Sequence, residues 1–149
     1  MEFDYIIYTD GACLGNPGPG GWAYLIKQPD KKEDSGGKCL TTNNVMEMTA
    51  VIKALEKCLE LELKTIRLFT DSNYVLMGLV EWSKNWQRNG WKTASGGEVK
   101  NKELWLRMLD LMEPFDIIDL KWVKAHNGNV NNEYVDIKAR EYAYLFSKK

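Results

Sequence analysis

The stretch Asp4–Leu14, D-Y-I-I-Y-T-D-G-A-C-L, predicts a strand that other elements of the fold cover on both faces. Both alternating sets of its side chains are largely apolar, which is typical of a doubly buried strand. Asp10 lies near the end of this stretch, and a buried charge is costly unless it is paired, hydrogen-bonded or bound to a metal. These residues alone leave two interpretations open: a functional carboxylate, or a hairpin with a spare Asp near its mouth.

A glycine-rich segment follows and excludes two common phosphate-binding classes. Gly11–Gly21, G-A-C-L-G-N-P-G-P-G-G, predicts a tight turn or a bulged hairpin, and Trp22–Lys27 predicts the next strand. In dinucleotide-binding and P-loop proteins the glycine-rich loop opens a helix, because the helix N-terminus supplies the amide groups that bind phosphate. Here the segment joins two strands, so the chain belongs to neither class.

The length and composition indicate one soluble globular domain over residues 1–149. The 149 residues are 44% hydrophobic and 28% charged, with a net charge of −1. The N-terminal M-E-F-D-Y has neither the basic region nor the cleavage site of a signal peptide, and no apolar run approaches the roughly 20 residues needed to span a membrane. The expected location is therefore cytoplasmic, without membrane attachment.

The three cysteines predict neither a disulfide framework nor a zinc site. Cys13, Cys39 and Cys58 are odd in number and fall in three different predicted elements, without the spacing of metal ligands. We expect reduced thiols with a structural role.

A third strand and a long helix follow the first two strands. Gly36–Thr42 predicts a third antiparallel strand, which completes a meander. Asn43 and Asn44 are N-cap candidates for a helix that runs to about Leu61. Glu47 falls on the inward-facing stripe of this helix, where an acid has no role in surface solubility. The alternative is a capping-box Glu, because Glu47 follows the Asn pair by three or four residues.

A second strand ends in the same way as the first. Thr65–Thr70, T-I-R-L-F-T, is followed directly by Asp71, so the two strands share the endings Y-T-D and F-T-D. Because a helix separates them, the right-handed crossover rule makes the strands parallel, and their carboxyl ends lie at the same edge of the sheet. Ligand sites in open α/β sheets form at that edge. We therefore expect Asp10 and Asp71 to lie close together.

The second half of the chain predicts four further helices and one further strand. The helices cover Asn73–Leu79, Glu81–Asn89, Lys102–Met112 and Asn132–Phe146, and the strand covers Phe115–Val123. Asp136 borders the buried face of the last helix. The predicted fold class is α/β: a mixed five-stranded sheet, with three antiparallel strands and then two parallel ones, and helices on both faces.

Four semi-buried acids therefore converge on one region: Asp10, Glu47, Asp71 and Asp136. They repel one another unless a positive group balances them, and the sequence offers no obvious internal Arg or Lys partner. Carboxylate oxygens suit hard divalent cations such as Mg²⁺ or Mn²⁺, whereas the lack of clustered Cys and His argues against zinc. Two such ions, roughly 3.5–4 Å apart, can activate a water on one side of a phosphodiester and stabilise the leaving oxygen on the other.

Five motifs in unbroken order, from about residue 5 to residue 145, resemble the signatures of type 1 ribonuclease H, also called ribonuclease HI. They are D-G-A-C-L-G-N-P-G-P-G-G, T-T-N-N-V-M-E, F-T-D-S-N-Y-V, W-x-x-x-W-Q-R-N-G-W-K-T and N-E-Y-V-D-I-K-A. The resemblance implies the ribonuclease H fold and endonucleolytic cleavage of the RNA strand of RNA–DNA hybrids, which leaves a 5′-phosphate and a 3′-hydroxyl. It also implies that Asp10, Glu47, Asp71 and Asp136 are the catalytic ligands of two Mg²⁺ ions, with Mn²⁺ as an alternative.

The only histidine, His126, matches the family's loop histidine, which assists proton transfer or product release. On the residues alone, a single His in the Asn- and Gly-rich loop A-H-N-G-N-V-N-N is as compatible with a solvated spectator. The loop also departs from the family pattern, with Ala125 where Gly is usual and Val130 where Pro is frequent.

The segment Trp82–Lys102 resembles the basic, substrate-gripping protrusion of bacterial members of the family. Its net charge is +4, which leaves −5 on the remainder of the chain, so a local basic patch can direct a polyanion to one face. The predicted substrate contacts of this segment are Trp82, Lys84, Arg88 and Lys92. The alternative is that the tryptophans pack internally, which we expect of Trp86 and Trp91.

The resemblance also implies polar contacts to the sugar and phosphate edges of the substrate, where recognition of the RNA 2′-hydroxyl distinguishes a hybrid from a DNA duplex. The matching positions are Asn16, Thr42, Asn43, Asn44 and Asn73.

Two rival functions stand beside this prediction of a monomeric ribonuclease. One is a DNA-processing polynucleotidyl transferase of the same fold, against which the asparagine set argues. The other is a non-catalytic hybrid-binding module, which would normally have lost at least one of the four carboxylates. All four are present.

Overall fold

Five strands and five α-helices make up the described part of the chain, residues 5–27, 31–125 and 127–149 of a computed structural model. The strands are β1 (Tyr5–Cys13), β2 (Gly18–Ile26), β3 (Lys32–Thr41), β4 (Thr65–Thr70) and β5 (Ile117–Trp122). The helices are α1 (Asn43–Glu60), α2 (Asn73–Met77), α3 (Ser83–Arg88), α4 (Lys102–Met112) and α5 (Val130–Ser147). A π-helical turn, Gly78–Trp82, joins α2 to α3.

The strands form one mixed sheet in the order β3-β2-β1-β4-β5. β1 is antiparallel to β2, and β2 is antiparallel to β3, whereas β1, β4 and β5 run parallel to one another. The predicted fold class is therefore confirmed, including the parallel pairing of the two strands that share the T-D ending. Tyr8 and Phe69 pair across that parallel contact, and their rings stack with centroids 4.9 Å apart.

Helices cover both faces of the sheet, and β1 contributes to both cores. On one face, Ile7 packs in a large core with α1 and α4, which includes the fully buried Leu55 and Trp105. On the other face, Tyr8 packs with Val135 of α5 in a smaller core. The prediction of a doubly covered first strand is confirmed. Within the described ranges, no helix is both long and apolar enough to cross a membrane.

Of the two predictions for Gly11–Gly21, the hairpin is confirmed and a turn over the whole segment is wrong, because β1 continues to Cys13, β2 begins at Gly18 and only residues 14–17 connect them. The glycines at the start of β2 have a tertiary reason. A Cβ on Gly21 would lie 2.1 Å from the carbonyl oxygen of Ala139 and 2.7 Å from the backbone N of Ala143. Helix α5 therefore packs directly on the strand backbone, where a side chain has no space.

The start of α1 also differs from the prediction. Thr42 is the N-cap, and its hydroxyl accepts a hydrogen bond of 3.2 Å from the backbone N–H of Val45. Asn43 and Asn44, the predicted caps, are instead the first two helical residues. Glu47 is consequently beyond the N3 position that a capping box uses, so the capping-box alternative is wrong.

Other boundaries shift by a few residues. The predicted helices over Asn73–Leu79 and Glu81–Asn89 form one continuous path, because the π turn joins them without a break. Lys102–Met112 is confirmed at both ends. β3 begins earlier than predicted, since it pairs with β2 along its whole length. β5 is shorter than predicted, and α5 begins at Val130 because Asn129 caps it.

The cysteines are free thiols in β1, β3 and α1. Cys58 is buried in the larger core, where burial raises the pKa of its thiol to about 12. Cys39 is exposed, so the structural role predicted for it is wrong.

Candidate active site

Parallel pairing places Asp10 and Asp71 at the same edge of the sheet. Thr9 of β1 is paired with Thr70 of β4, and each threonine is followed directly by an aspartate, Asp10 or Asp71. The chain thus brings together two residues that are far apart in sequence. The expectation that they lie close together is confirmed.

Gly11 brings Glu47 to this edge. Its N–H donates a hydrogen bond of 2.7 Å to Oε1 of Glu47 and also lies 2.9 Å from Oδ1 of Asp10. A Cβ on Gly11 would lie 2.4 Å from the backbone N of Glu47 and 2.4 Å from the carbonyl carbon of Met46. The backbone of α1 therefore rests against the backbone of β1, and only glycine permits that approach.

Three carboxylates form a compact cluster. One oxygen from each of Asp10, Glu47 and Asp71 lies within 4.8 Å of the others. Asp10 is 2% exposed and Glu47 is 6% exposed, so two of the three are buried. Oδ2 of Asp10 is buried and has no hydrogen-bond partner among the described residues. An unsatisfied buried carboxylate oxygen is costly, and a bound cation would remove that cost.

The electrostatics of the cluster favour its protonated form in the absence of a cation. Burial, followed by the charges of Glu47 and Asp71, raises the pKa of Asp10 far above its usual range. Burial and the charge of Asp71 likewise raise the pKa of Glu47 well above its usual range. The cluster therefore holds excess negative charge only at an energetic cost.

Asp136 lies beside this cluster but outside the compact group of three. The close approach of the Asp136 carboxyl group is one of the smaller causes that raise the pKa of Asp10, so the two side chains are neighbours. The expectation that the four acids lack a basic partner is wrong for Asp136, because Nη2 of Arg140 lies 2.9 Å from its Oδ2. The sequence contained this signal, since Asp and Arg four residues apart share a helix face.

Two contacts to Asp71 were not predicted. Nδ2 of Asn132 donates to Oδ2 of Asp71 at 3.4 Å, and Nε1 of Trp122 donates to its backbone carbonyl at 3.3 Å. Asn132 precedes Asp136 by one helical turn and is the first residue of the motif N-E-Y-V-D-I-K-A, and these two signals in the sequence could have found it. The predicted loop histidine, His126, lies outside the described residues.

The basic segment carries its predicted cations at the surface. Lys84, Arg88 and Lys92 are exposed. Nε of Arg88 donates to the backbone carbonyl of Lys84 at 3.2 Å, and its Nη2 donates to Asn85 at 3.3 Å, so α3 orients this guanidinium. The predicted phosphate-binding side chains are thus accessible to a polyanion.

The tryptophans of this segment pack on one another and on Trp105. Trp86 lies between Trp91 and Trp105, with ring centroids 5.6 Å and 5.4 Å away. Trp91 is 9% exposed, so the expected internal packing of Trp86 and Trp91 is confirmed. Trp82 is half-buried, with its ring centroid 6.1 Å from that of Trp86. Its predicted substrate contact stays a prediction.

The predicted polar contacts lie around the start of α1 and the start of α2. Oδ1 of Asn16 accepts a hydrogen bond of 2.9 Å from the backbone N–H of Asn43, which joins the β1–β2 connection to α1. The hydroxyl of Thr42 is used by the cap described above. Asn44 and Asn73 are exposed. Their contacts to a substrate stay predictions.

Comparisons with known proteins agree on one family. The family model described as RNase H matches residues 2–144. A Ribonuclease H of Neorickettsia sennetsu is 50% identical over 146 residues, which cover 97% of this chain and 95% of that protein. A Ribonuclease HI of Xylella fastidiosa is 52% identical over 137 residues, which cover 91% of this chain and 89% of that protein.

Solved structures give the same result. A crystal structure of LC9-RNase H1, described as a type 1 RNase H with the type 2 active-site motif, superposes with a TM-score of 0.85 at 28% identity, over 97% of this chain and 74% of that one. A crystal structure of LC11-RNase H1 in complex with an RNA/DNA hybrid superposes with a TM-score of 0.71 at 25% identity, over 95% of this chain and 97% of that one.

Proposed function

Since the chain belongs to the ribonuclease H family and is an endoribonuclease for the RNA strand of RNA–DNA hybrids, we propose that Asp10, Glu47, Asp71 and Asp136 are its catalytic carboxylates. The observation that carries the proposal is the compact cluster of Asp10, Glu47 and Asp71, to which β1, α1 and β4 each contribute one acid. Asp136 approaches from α5 on the side of Asp10.

The donor set fits hard divalent cations. Among the described residues, the cluster offers only carboxylate oxygens, and one of them, Oδ2 of Asp10, is buried without a hydrogen-bond partner there. Such oxygens suit Mg²⁺ best, with Mn²⁺ as an alternative, and we assign two ions to the catalytic complex. When bound, these ions supply an activated water and stabilisation of the leaving oxygen.

The chain's own residues supply position and charge. The N–H of Gly11 fixes the Glu47 carboxylate against Asp10, so their orientations do not depend on side-chain rotamers alone. Attack of water on phosphorus with cleavage of the P–O3′ bond leaves the water oxygen on a 5′-phosphate and a proton on the 3′-oxygen. His126, whose position lies outside the described residues, is assigned to proton transfer or product release.

The substrate surface extends from the cluster in two directions. Towards α3, the exposed cations bind phosphates, and Trp82 offers an aromatic edge beside them. Towards the start of α1, the polar side chains read sugar and phosphate edges. We assign these contacts to Asn16, Thr42, Asn43, Asn44, Asn73, Lys84, Arg88 and Lys92. We propose that residues 1–149 form one ribonuclease H domain that acts as a monomer in the cytoplasm.

The test is cleavage of a labelled RNA–DNA hybrid, with the DNA duplex of the same sequence as the control substrate. We expect cleavage of the hybrid alone in Mg²⁺ or Mn²⁺, and none in EDTA. Ca²⁺ should not support cleavage, because its longer bonds and looser geometry misplace the attacking water. Full activity in EDTA, or equal cleavage of the DNA duplex, would overturn the proposal.

A further inference from the structure

The side chain of Asn132 is buried at the start of α5, where a helix does not need it. Asn132 is 1% exposed, and its backbone N–H is already bound by the side chain of the N-cap, Asn129, at 2.9 Å. Asn is a weaker helix former than Ala, and a buried amide is costly unless it is hydrogen-bonded. The reason for an amide at this position must therefore lie in what the amide contacts.

That contact is the carboxylate of Asp71. Nδ2 of Asn132 donates to Oδ2 of Asp71 at 3.4 Å. Asp71 follows the last paired residue of β4, so it lies just beyond the hydrogen-bond ladder of the sheet. Trp122 fixes only its backbone, through the bond to the carbonyl oxygen. The amide of Asn132 is thus a neutral donor to the carboxylate itself, which also lies against the carboxyl group of Glu47.

The same arrangement recurs at all three carboxylates of the cluster. Each has one oxygen facing a neutral N–H donor of the protein: Gly11 for Asp10 and Glu47, and Asn132 for Asp71. A neutral donor orients a carboxylate and leaves its negative charge in place. Lys or Arg would cancel that charge and compete with a cation.

Helix α5 also links this donor to the fourth acid. Asn132 and Asp136 are four residues apart, so one face of the first turns presents an amide to Asp71 and a carboxylate to Asp10. A shift of the helix start would move both contacts together. The position of α5 on the sheet and the geometry of the cluster are therefore linked through this face.

We propose that Asn132 is a positioning residue, whose amide holds the Asp71 carboxylate in the orientation in which the cluster binds divalent cations. This inference rests on the proposed catalytic role of the cluster. Residues that orient metal ligands through hydrogen bonds typically change metal affinity by roughly 10–100-fold when they are replaced. The effect of Asn132 should fall in that range and should appear in metal binding itself.

The experiment compares Asn132→Ala and Asn132→Leu with the parent protein. Leu keeps the branched shape and the number of heavy atoms of the side chain and removes the donor, whereas Ala removes the donor together with most of the side chain, so the pair separates the hydrogen bond from packing. Asn131→Ala is the matched control, because it makes the same chemical change at the adjacent position of the same helix. Mn²⁺ binding is measured by calorimetry without substrate, and the Mg²⁺ concentration for half-maximal cleavage is measured with the hybrid.

We expect both Asn132 variants to bind Mn²⁺ about 10–100-fold more weakly and to need correspondingly more Mg²⁺, with little change in the KM for the hybrid at saturating Mg²⁺. Asn131→Ala should match the parent. A loss of thermal stability with parental Mn²⁺ affinity and Mg²⁺ dependence would assign Asn132 to packing and overturn the inference.

Asp71→Asn separates this inference from the proposed function. If the parent binds Mn²⁺ and Asp71→Asn abolishes cleavage, the proposed catalytic role of the cluster is supported. In that case, Asn132 variants with the Mn²⁺ affinity and Mg²⁺ dependence of the parent would overturn only the positioning role of Asn132. If the parent binds no Mn²⁺ and Asp71→Asn remains active, the proposed function fails first.

Discussion

Gly11 is the residue that makes the carboxylate cluster possible. Its N–H contacts both Glu47 and Asp10, and its missing side chain lets the backbone of α1 lie against β1. The contact is between two backbones that belong to the core of the fold, so no side chain can move aside to relieve a clash. The geometry of the site therefore depends on a residue with no functional group.

The first prediction is that Gly11→Ala inactivates the enzyme and destabilises the fold. The new Cβ would lie 2.4 Å from two backbone atoms of α1, so the helix must move. Overpacking of this kind costs typically 1–3 kcal/mol. Denaturant unfolding and hybrid cleavage measure both effects. Gly97→Ala is the control, because its Cβ would meet Thr93 at 3.5 Å, an ordinary contact, and its stability should stay within about 0.5 kcal/mol of the parent.

The second prediction is that Asp10→Asn abolishes cleavage and yet stabilises the metal-free protein at neutral pH. Burial and the neighbouring acids raise the pKa of Asp10 in the folded state. Because the carboxyl pKa is raised, the folded protein binds the proton more tightly than the unfolded chain does. The fold therefore loses stability as pH rises above the pKa of this group in the unfolded chain, and this loss is absent in acid, where the group is protonated in both states. Removing the titrating group removes the loss.

The gain from Asp10→Asn should therefore be clear near pH 7 and shrink towards zero below about pH 4, the reference range of carboxyl groups. Each unit of pKa shift corresponds to about 1.4 kcal/mol. Thermal unfolding of the parent and the variant in the presence of a chelator, near pH 7 and below about pH 4, measures this gain in stability. A variant less stable than the parent at pH 7 would mean that Asp10 has a structural partner and that the argument from an unbalanced cluster is wrong.

The residues of the site differ in how far the sequence could identify them. Asp10 and Asp71 follow apolar strands with the same ending, so a crossover rule sufficed to bring them together. Asn132 carries no such pattern, because an Asn near a helix start is usually a cap. Its role depends on which strand end the helix start meets, and that is a tertiary fact.

At the scale of elements, the local structure that a segment's composition predicts can differ from the structure that its tertiary packing requires. The glycines before Trp22 have the composition of a turn, yet Gly18–Gly21 is strand, and at Gly21 α5 packs directly on the strand backbone. Similarly, Gly78 lies one residue before the predicted end of the helix Asn73–Leu79. In the structure a Cβ there would lie 2.0 Å from the Trp105 ring, so the glycine serves the packing of that ring inside a continuous π turn. Sequence patterns could not show which partner occupies the space.

The third prediction concerns the segment formed by α3 and the turn after it. Replacing Lys84, Arg88 and Lys92 together with Ala should weaken hybrid binding and flatten its dependence on salt, because phosphate contacts release counterions. Each lost contact reduces the slope of log affinity against log salt by about 0.9 for a duplex. Turnover at saturating substrate should change much less, since the segment does not contribute to the carboxylate cluster.

The control for this prediction is a second triple variant with the same change of charge. The residues of this control variant are exposed at the opposite ends of the strands from the carboxylate cluster: Lys27, Lys32 and Lys64. Lys27 follows the end of β2, Lys32 pairs with that end, and Lys64 precedes β4. Their replacement with Ala should leave the salt slope near that of the parent. Equal slopes in the two triple variants would place the binding surface elsewhere.

At the scale of the whole molecule, the cluster and the neighbouring Asp136 bring together residues from the first strand and the last helix. Asp10 comes from the first strand and Asp136 from the last helix, and β1 lies at the centre of the sheet between the antiparallel and parallel parts. The sequence was sufficient to predict this topology, because the order of elements and the handedness of crossovers leave few arrangements. An unfolded chain does not hold these acids together, so cation binding and global folding must be coupled.

The last prediction is that divalent cations raise the melting temperature, and more so at higher pH. Cations bind the folded cluster and stabilise it by about 2.7 kcal/mol at a concentration 100-fold above Kd, which corresponds to several degrees for a chain of this size. Protons compete for the same oxygens, because the pKa values of Asp10 and Glu47 are raised. Cation affinity therefore rises with pH, and the shift in Tm produced by Mn²⁺ should be larger at pH 8.5 than at pH 6. Asp10→Asn should lose most of the shift at both pH values. Equal shifts in the parent at the two pH values, or a parental shift in Asp10→Asn, would mean that Mn²⁺ stabilises the protein from a different site.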